Sequence, residues 1–127
     1  MKRYVIDGNA FDGLESFYDH IGKLLCPGHQ WGGNLDAFND ILWGGWGAFD
    51  EGEPVELIWK NSAKSKEDLG AAVTIAWLED GLDRIHPSNR ETWMERIAAV
   101  RRGKGQTLYE QLVEIIRDNP HLHFQEA

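Results

Sequence analysis

Cysteine is almost missing from this chain. Cys26 stands alone, so no intramolecular disulfide can form and a reducing cytoplasm is the expected setting. No apolar run approaches the roughly 20 residues that span a bilayer, so no membrane role is expected. The first residues, Met1-Lys2-Arg3-Tyr4-Val5-Ile6-Asp7, lack the apolar core and small-residue cleavage site of a secretory signal. Internal repeats and low-complexity tracts are absent as well. The most informative gap is in positive charge. No Lys or Arg occurs between Lys23 and Lys60, a span that holds Asp36, Asp40, Asp50, Glu51, Glu53 and Glu56. The net charge is −8, from 13 basic and 21 acidic residues, and outside that span the two signs nearly balance. Such a field disfavours direct binding of nucleic-acid phosphates and favours a cationic protein, which it also steers in diffusion. A solubilising acidic surface has the same composition.

What is present points to one folded domain over 1–127. Six Trp, five Phe and three Tyr supply a real core. Arg3 to Asp7 reads as a first strand, with Tyr4, Val5 and Ile6 a continuous apolar run suited to full burial. Asp12 and Glu15 have the spacing of a capping-box variant. Behind them Leu14, Phe17, Tyr18, Ile21, Leu24 and Leu25 repeat at helical spacing until Cys26-Pro27-Gly28. Val55 to Trp59, after Pro54, reads as a second strand, and Ser62 as the cap of a short helix through Leu69.

A helical segment follows over about 70–105. Ile75, Leu78, Leu82 and Ile85 form one stripe. Ser88 and Glu91 have capping-box spacing before a second stripe of Trp93, Met94, Ile97 and Val100. Thr107 and Glu110 repeat the box before Leu108, Leu112, Ile115 and Ile116. His121 to Gln125 alternates as a last strand. Strands separated by helices predict an α/β fold with a parallel sheet.

The candidate site is Gln30-Trp31-Gly32-Gly33-Asn34-Leu35-Asp36-Ala37-Phe38-Asn39-Asp40. Asn34 sits where an N-cap belongs, and Gly32 and Gly33 serve the turn before it. Asp36 and Asp40 project from one face of the helix, where like charges cost about 0.2–0.5 kcal/mol. A cationic partner turns that cost into attraction. Trp43-Gly44-Gly45-Trp46-Gly47 reads as a mobile aromatic loop.

Other chemistries are weaker. Asp36 and Asp40 as an acid/base pair lack any second catalytic signature, so no enzyme is expected. His121 and His123 on one strand face lack further zinc ligands by spacing, so no metal or cofactor is expected. Cys26 reads as buried or inert. Arg101-Arg102-Gly103-Lys104 reads as a basic helix end that satisfies carbonyls.

Gly32, Asn34-Leu35-Asp36-Ala37 and Asp40, with Pro54-x-x-Leu57-x-Trp59 and Ser65-Lys66 at matching distances, resemble the barstar family of intracellular ribonuclease inhibitors. Val5-Ile6-Asp7-Gly8 is similar to that family's first strand and turn, and Leu112 to Phe124 to its last helix and strand in pattern. The resemblance implies a three-stranded parallel sheet packed with helices, the segment about 70–105 being an insertion. It implies a cytoplasmic bacterial immunity protein or antitoxin, a monomer when free, that blocks a basic ribonuclease or related nuclease toxin. Asp40 would mimic the RNA phosphate, with Asp36 a second contact and Glu114 an acidic contact from the last helix. The family carries aromatics at the positions of Gln30 and Asn39 and an acid at Gly33. Trp31, Trp43 and Trp46 offer rings nearby. The alternative is a barstar-like interaction or regulatory module with a non-nuclease partner.

Overall fold

Each strand segment pairs in parallel with one distant in sequence. The computed structural model describes residues 1–127. In it β1 (Lys2–Asp7), β2 (Val55–Lys60) and β3 (Leu122–Glu126) form one sheet in the order β1-β2-β3. Tyr4 lies opposite Leu57 and Ile6 opposite Trp59, while Val55 meets Leu122 and Leu57 meets Phe124. The two-residue period puts these side chains on one face. That face is covered by α1 (Leu14–Leu25), α2 (Leu35–Trp43) and α6 (Leu108–Arg117), whose apolar stripes join it in a single core. Trp59 lies at its centre, fully buried and stacked on Phe17 at 5.4 Å.

The other face of the sheet is more open than the continuous run Tyr4-Val5-Ile6 predicts. Val5 and Ile58 are only half-buried, and Arg3 pairs with Glu56 across the strands at 3.0 Å. The helices cover the opposite face, and β2 accordingly alternates in burial, with Val55, Leu57 and Trp59 buried.

Capping departs from expectation at three helices. Gly13, not Asp12, precedes α1, and Ser16 Oγ takes the role set for Glu15, accepting from the amides of Asp12 and Gly13. The short α3 (Ser62–Asp68) starts after Asn61 in a left-handed conformation (φ 56°). Ser62 Oγ donates instead to the carbonyl of Ala127. The Ser88–Glu91 box does not form. A single 3-10 turn, Pro87–Asn89, is capped by His86, whose Nδ1 accepts from the amide of Ser88. The Thr107–Glu110 box forms as expected, with reciprocal bonds of 3.2 Å.

The segment about 70–105 is an antiparallel pair, α4 (Ala71–Gly81) and α5 (Arg90–Arg101). Helix α4 stops short of Leu82 and Ile85. The pair has a small core of its own, Leu78, Ile97 and Val100. That core covers only one stripe, so Met94 is 52% exposed instead of packed. Arg101, expected at a helix end, pairs with Glu79 across the two helices at 3.2 Å. Buried Thr74 holds the base: its Oγ1 accepts from the amide of Leu108 at 2.8 Å and donates to the carbonyl of Gly70. Beside it the amide of Tyr109 donates to the carbonyl of Leu69 at 3.1 Å.

His20 ties α1 to the end of β1. Its Nε2 accepts from the amide of Asp7 at 3.1 Å, which needs that nitrogen bare. Burial holds His20 below its ordinary value, with Lys23 adding and Asp7 opposing. Above about pH 6.5 the ring is neutral folded or unfolded and its contribution is whole. As pH falls from there through the lower folded value, the unfolded chain takes the proton first and stability is lost. The urea midpoint should therefore fall between about pH 7.5 and 5.5, and fall less in His20→Gln. Asp7 and Glu53, both held below the carboxylate range by accepted amide hydrogen bonds, lose their contribution only below about pH 4.

Candidate functional site

The acidic stretch folds as expected into a capped turn and helix. Asn34 Oδ1 accepts from the amide of Ala37 at 2.8 Å, satisfying one free donor of the first turn of α2. The two glycines before it act differently. Gly33 has φ +59°, where a side chain is strained. Gly32 is needed for space, because a Cβ there would lie 3.1 Å from Asn34 Nδ2 and 3.2 Å from Ala37 Cβ. Phe38, Ile41 and Leu42 are buried, so the face bearing Asp36 and Asp40 is turned outward.

Both carboxylates are exposed, and none of the chain's ion pairs includes either. Asp36 lies in the first turn, where the helix dipole favours an anion. Asp40 lies beyond that turn and has no such support. The acidic field around them is narrower than composition implies. Glu53 pairs with Lys2 and Glu56 with Arg3, so β1 neutralises two of the six acids in the cation-free span.

Asp40 opens onto a recess of about 380 Å3 that it shares with Gln30, Trp31, Gly32, Ile41 and Trp46. Trp31 is held edge-on to Tyr18 at 5.3 Å. It passes so close to Gly22 that a Cβ there would lie 2.8 Å from its Nε1. Trp46 Nε1 donates to the carbonyl of Asp40 at 3.2 Å, fixing the second ring to the same turn. The site is a free carboxylate between two positioned indoles. Such a recess suits a cationic side chain, through charge and through the faces of the rings.

The loop behind it is not the mobile aromatic segment expected from its glycines. Gly45 donates to Phe49 at 2.8 Å and Gly52 to Trp43 at 2.7 Å. The Tyr4 hydroxyl and Lys2 Nζ both donate to the carbonyl of Ala48, at 2.6 and 3.2 Å. Gly44 (φ +105°) lies where a Cβ would meet the carbonyl oxygen of Asp50 at 2.3 Å. The glycines here permit tight closure, and the loop is bound to β1.

Three residues read as site members lie elsewhere. Trp43 is half-exposed, but it stands edge-on to His121 at 5.2 Å and over Gly52, away from the Asp40 recess. Asn39 Oδ1 accepts from Asn119 Nδ2 at 3.0 Å, tethering α2 to α6. Glu114 is on another flank of α6, hydrogen-bonded to Gln106 in a recess with Lys66 and Tyr109. Asn119 and His121, not Glu114, are the residues of this region hydrogen-bonded to α2.

The histidines also separate. His121 Nε2 donates to the carbonyl of Leu42 at 2.8 Å, satisfying the C-terminal end of α2, while His123 is exposed opposite Glu56. No three His, Cys, Asp or Glu side chains converge as metal ligands do. Cys26 is buried, its thiol directed at the carbonyl of His29 and pushed up by burial. No helix is long and apolar enough to cross a membrane. Sequence reading missed Tyr18, which seats Trp31, and His121 as a partner of α2. Neither carries a spacing signal, since each acts on a residue far along the chain.

A family model described as Barstar (barnase inhibitor) matches residues 1–96. The match runs from β1 through α4 and into α5, so the whole acidic stretch lies inside it. No curated protein matches the chain.

Proposed function

Because this chain belongs to the barstar family, we propose that it is an intracellular inhibitor of a basic ribonuclease or related nuclease toxin. The family's description, barnase inhibitor, supports that role at the level of a protein that binds a ribonuclease. The finer reading rests on one observation: Asp40 is an unpaired carboxylate on a capped helix, held between Trp31 and Trp46 in a cation-free stretch. An enzyme that binds RNA phosphate must present clustered cations. Asp40 occupies the phosphate's place among them, and Asp36 adds a second charge one turn away. Inhibition is then competitive with RNA.

The geometry differs in one respect from inhibition by an aromatic plug. Gln30 and Asn39 carry no rings, and Asn39 is committed to Asn119. The indoles of Trp31 and Trp46 line a recess instead, so a side chain of the enzyme enters the inhibitor. That difference also favours the second reading, an interaction module whose partner is not a nuclease.

RNA cleavage by barnase, titrated with this chain, separates the two. Inhibition should be stoichiometric and relieved by excess RNA. The association rate should fall by about tenfold or more from low to high salt, because steering by exposed charges is screened. Undiminished cleavage with no binding, by barnase and by a panel of other basic ribonucleases, sinks the inhibitor reading.

A further inference from the structure

Trp46 is the only wall of the Asp40 recess that is carried on the loop between α2 and β2. It stands between Gly45 and Gly47, both at positive φ (86° and 107°), so the adjoining backbone does little to fix it. The indole makes one hydrogen bond, from Nε1 to the carbonyl of Asp40, and that bond is open to solvent. What holds the ring in place must therefore act on the turn that carries it.

Tyr4 of β1 does so at two points. Its ring lies 5.7 Å from that of buried Phe49, and its hydroxyl donates to the carbonyl of Ala48 at 2.6 Å. The turn closes on itself beside them, the amide of Gly45 donating to the carbonyl of Phe49 at 2.8 Å. Trp46 is thus bracketed by a closed turn whose far side is pinned to the sheet. Tyr4, Trp46 and Ala48 all pack against the main core, yet Tyr4 lines no part of the recess. Lys2 donates to the same carbonyl at 3.2 Å, but it is exposed, shared with Glu53 and flexible along its stem, so it restrains little.

We propose that Tyr4 is a positioning residue for the Asp40 site: its hydroxyl holds the Gly45–Phe49 turn so that Trp46 walls the recess before any partner arrives. Tyr4 touches no partner and acts through Trp46 alone. Ordering a side chain at an interface costs affinity, and a ring already in place in the free protein is spared that cost. The consequence for binding rests on the inhibitor reading above, while the effect on Trp46 belongs to the free chain and does not.

Two measurements test this, and the first needs no partner. Fluorine NMR of the chain labelled with fluorotryptophan gives one signal per indole, and Trp46→Phe identifies that of Trp46. In Tyr4→Phe this signal should sharpen and move toward that of the free, solvated amino acid, while the other indole signals stay in place and report an intact fold. An unmoved Trp46 signal overturns the inference. The second is calorimetric titration of barnase into the parent chain, Tyr4→Phe, Trp46→Ala and the double variant. Tyr4→Phe should weaken binding by about threefold or more, and should have no effect once Trp46 is replaced. A merely structural role would weaken binding alike in both backgrounds. A loss below about threefold, or equal losses with and without the indole, overturns the inference and leaves the inhibitor reading intact. If the parent binds neither barnase nor any other basic ribonuclease, the inhibitor reading fails and takes the binding consequence with it, while the fluorine signal still decides whether Tyr4 holds Trp46.

Discussion

Asp40→Ala will bind barnase about a hundredfold or more weakly than the parent chain and will be as stable. The two halves of that expectation have separate causes. Asp40 is exposed and in no ion pair, and the fold uses only its main-chain carbonyl, which accepts from Trp46. Losing the carboxylate removes nothing from the core, and relieves a like-charge neighbour worth about 0.2–0.5 kcal/mol. In the proposed complex the same carboxylate would be desolvated among cations. Removing one partner of a buried, hydrogen-bonded charge pair costs about 2–5 kcal/mol, and each 1.4 kcal/mol is about tenfold in affinity. The type case for that range is the complex of barnase with barstar, so it is carried over to this chain and not drawn from it. Surface plasmon resonance gives the affinity and urea unfolding the stability. An affinity within tenfold of the parent would remove Asp40 from the centre of the interface.

Trp59→Ala should do the reverse. Trp59 is fully buried, stacks on Phe17 and meets Phe11 and Tyr109 edge-on. Its Nε1 donates to the Oγ of buried Ser65 at 2.9 Å. Deleting a buried indole costs about 3–5 kcal/mol, a large part of the roughly 5–15 kcal/mol that holds a domain together. With a urea slope of about 1–3 kcal/mol per molar, the midpoint should fall by about 2 M. Trp59→Phe keeps an aromatic ring but loses the hydrogen bond and part of the indole's volume, so it should cost less than Trp59→Ala, about 1–3 kcal/mol. Binding per folded molecule should be unchanged in both, since Trp59 reaches no part of the acidic face. An unshifted midpoint in Trp59→Ala would mean that the core does not depend on its central ring.

Local signals carried most of the fold. The stripes of α1 and α6, the Thr107–Glu110 box and the Asn34 cap depend on residues a turn apart, and all appear in the structure. The errors came where a distant or competing partner decided the outcome. Ser62 has the chemistry of a cap but bonds to Ala127. Ser88 and Glu91 have the right spacing, but Pro87 and His86 form a 3-10 turn over the same residues. Met94 repeats with Ile97 at helical spacing, yet the small core beside α5 is too narrow to cover it.

At the site, Asp36, Asp40 and their cap were legible because they lie on one helix. The orientation of Glu114 depends on how α6 docks, which spacing does not encode.

The bond between Leu69 and Tyr109 at the base of the α4–α5 pair has an evolutionary consequence. The chain departs from the body and rejoins it at one point. The entropy of closing a flexible loop grows slowly, by about 0.6 kcal/mol for each doubling of its length. At such a junction a change in the length of the intervening segment costs little in closure entropy. Relatives of this chain are therefore expected to differ in length between these two residues.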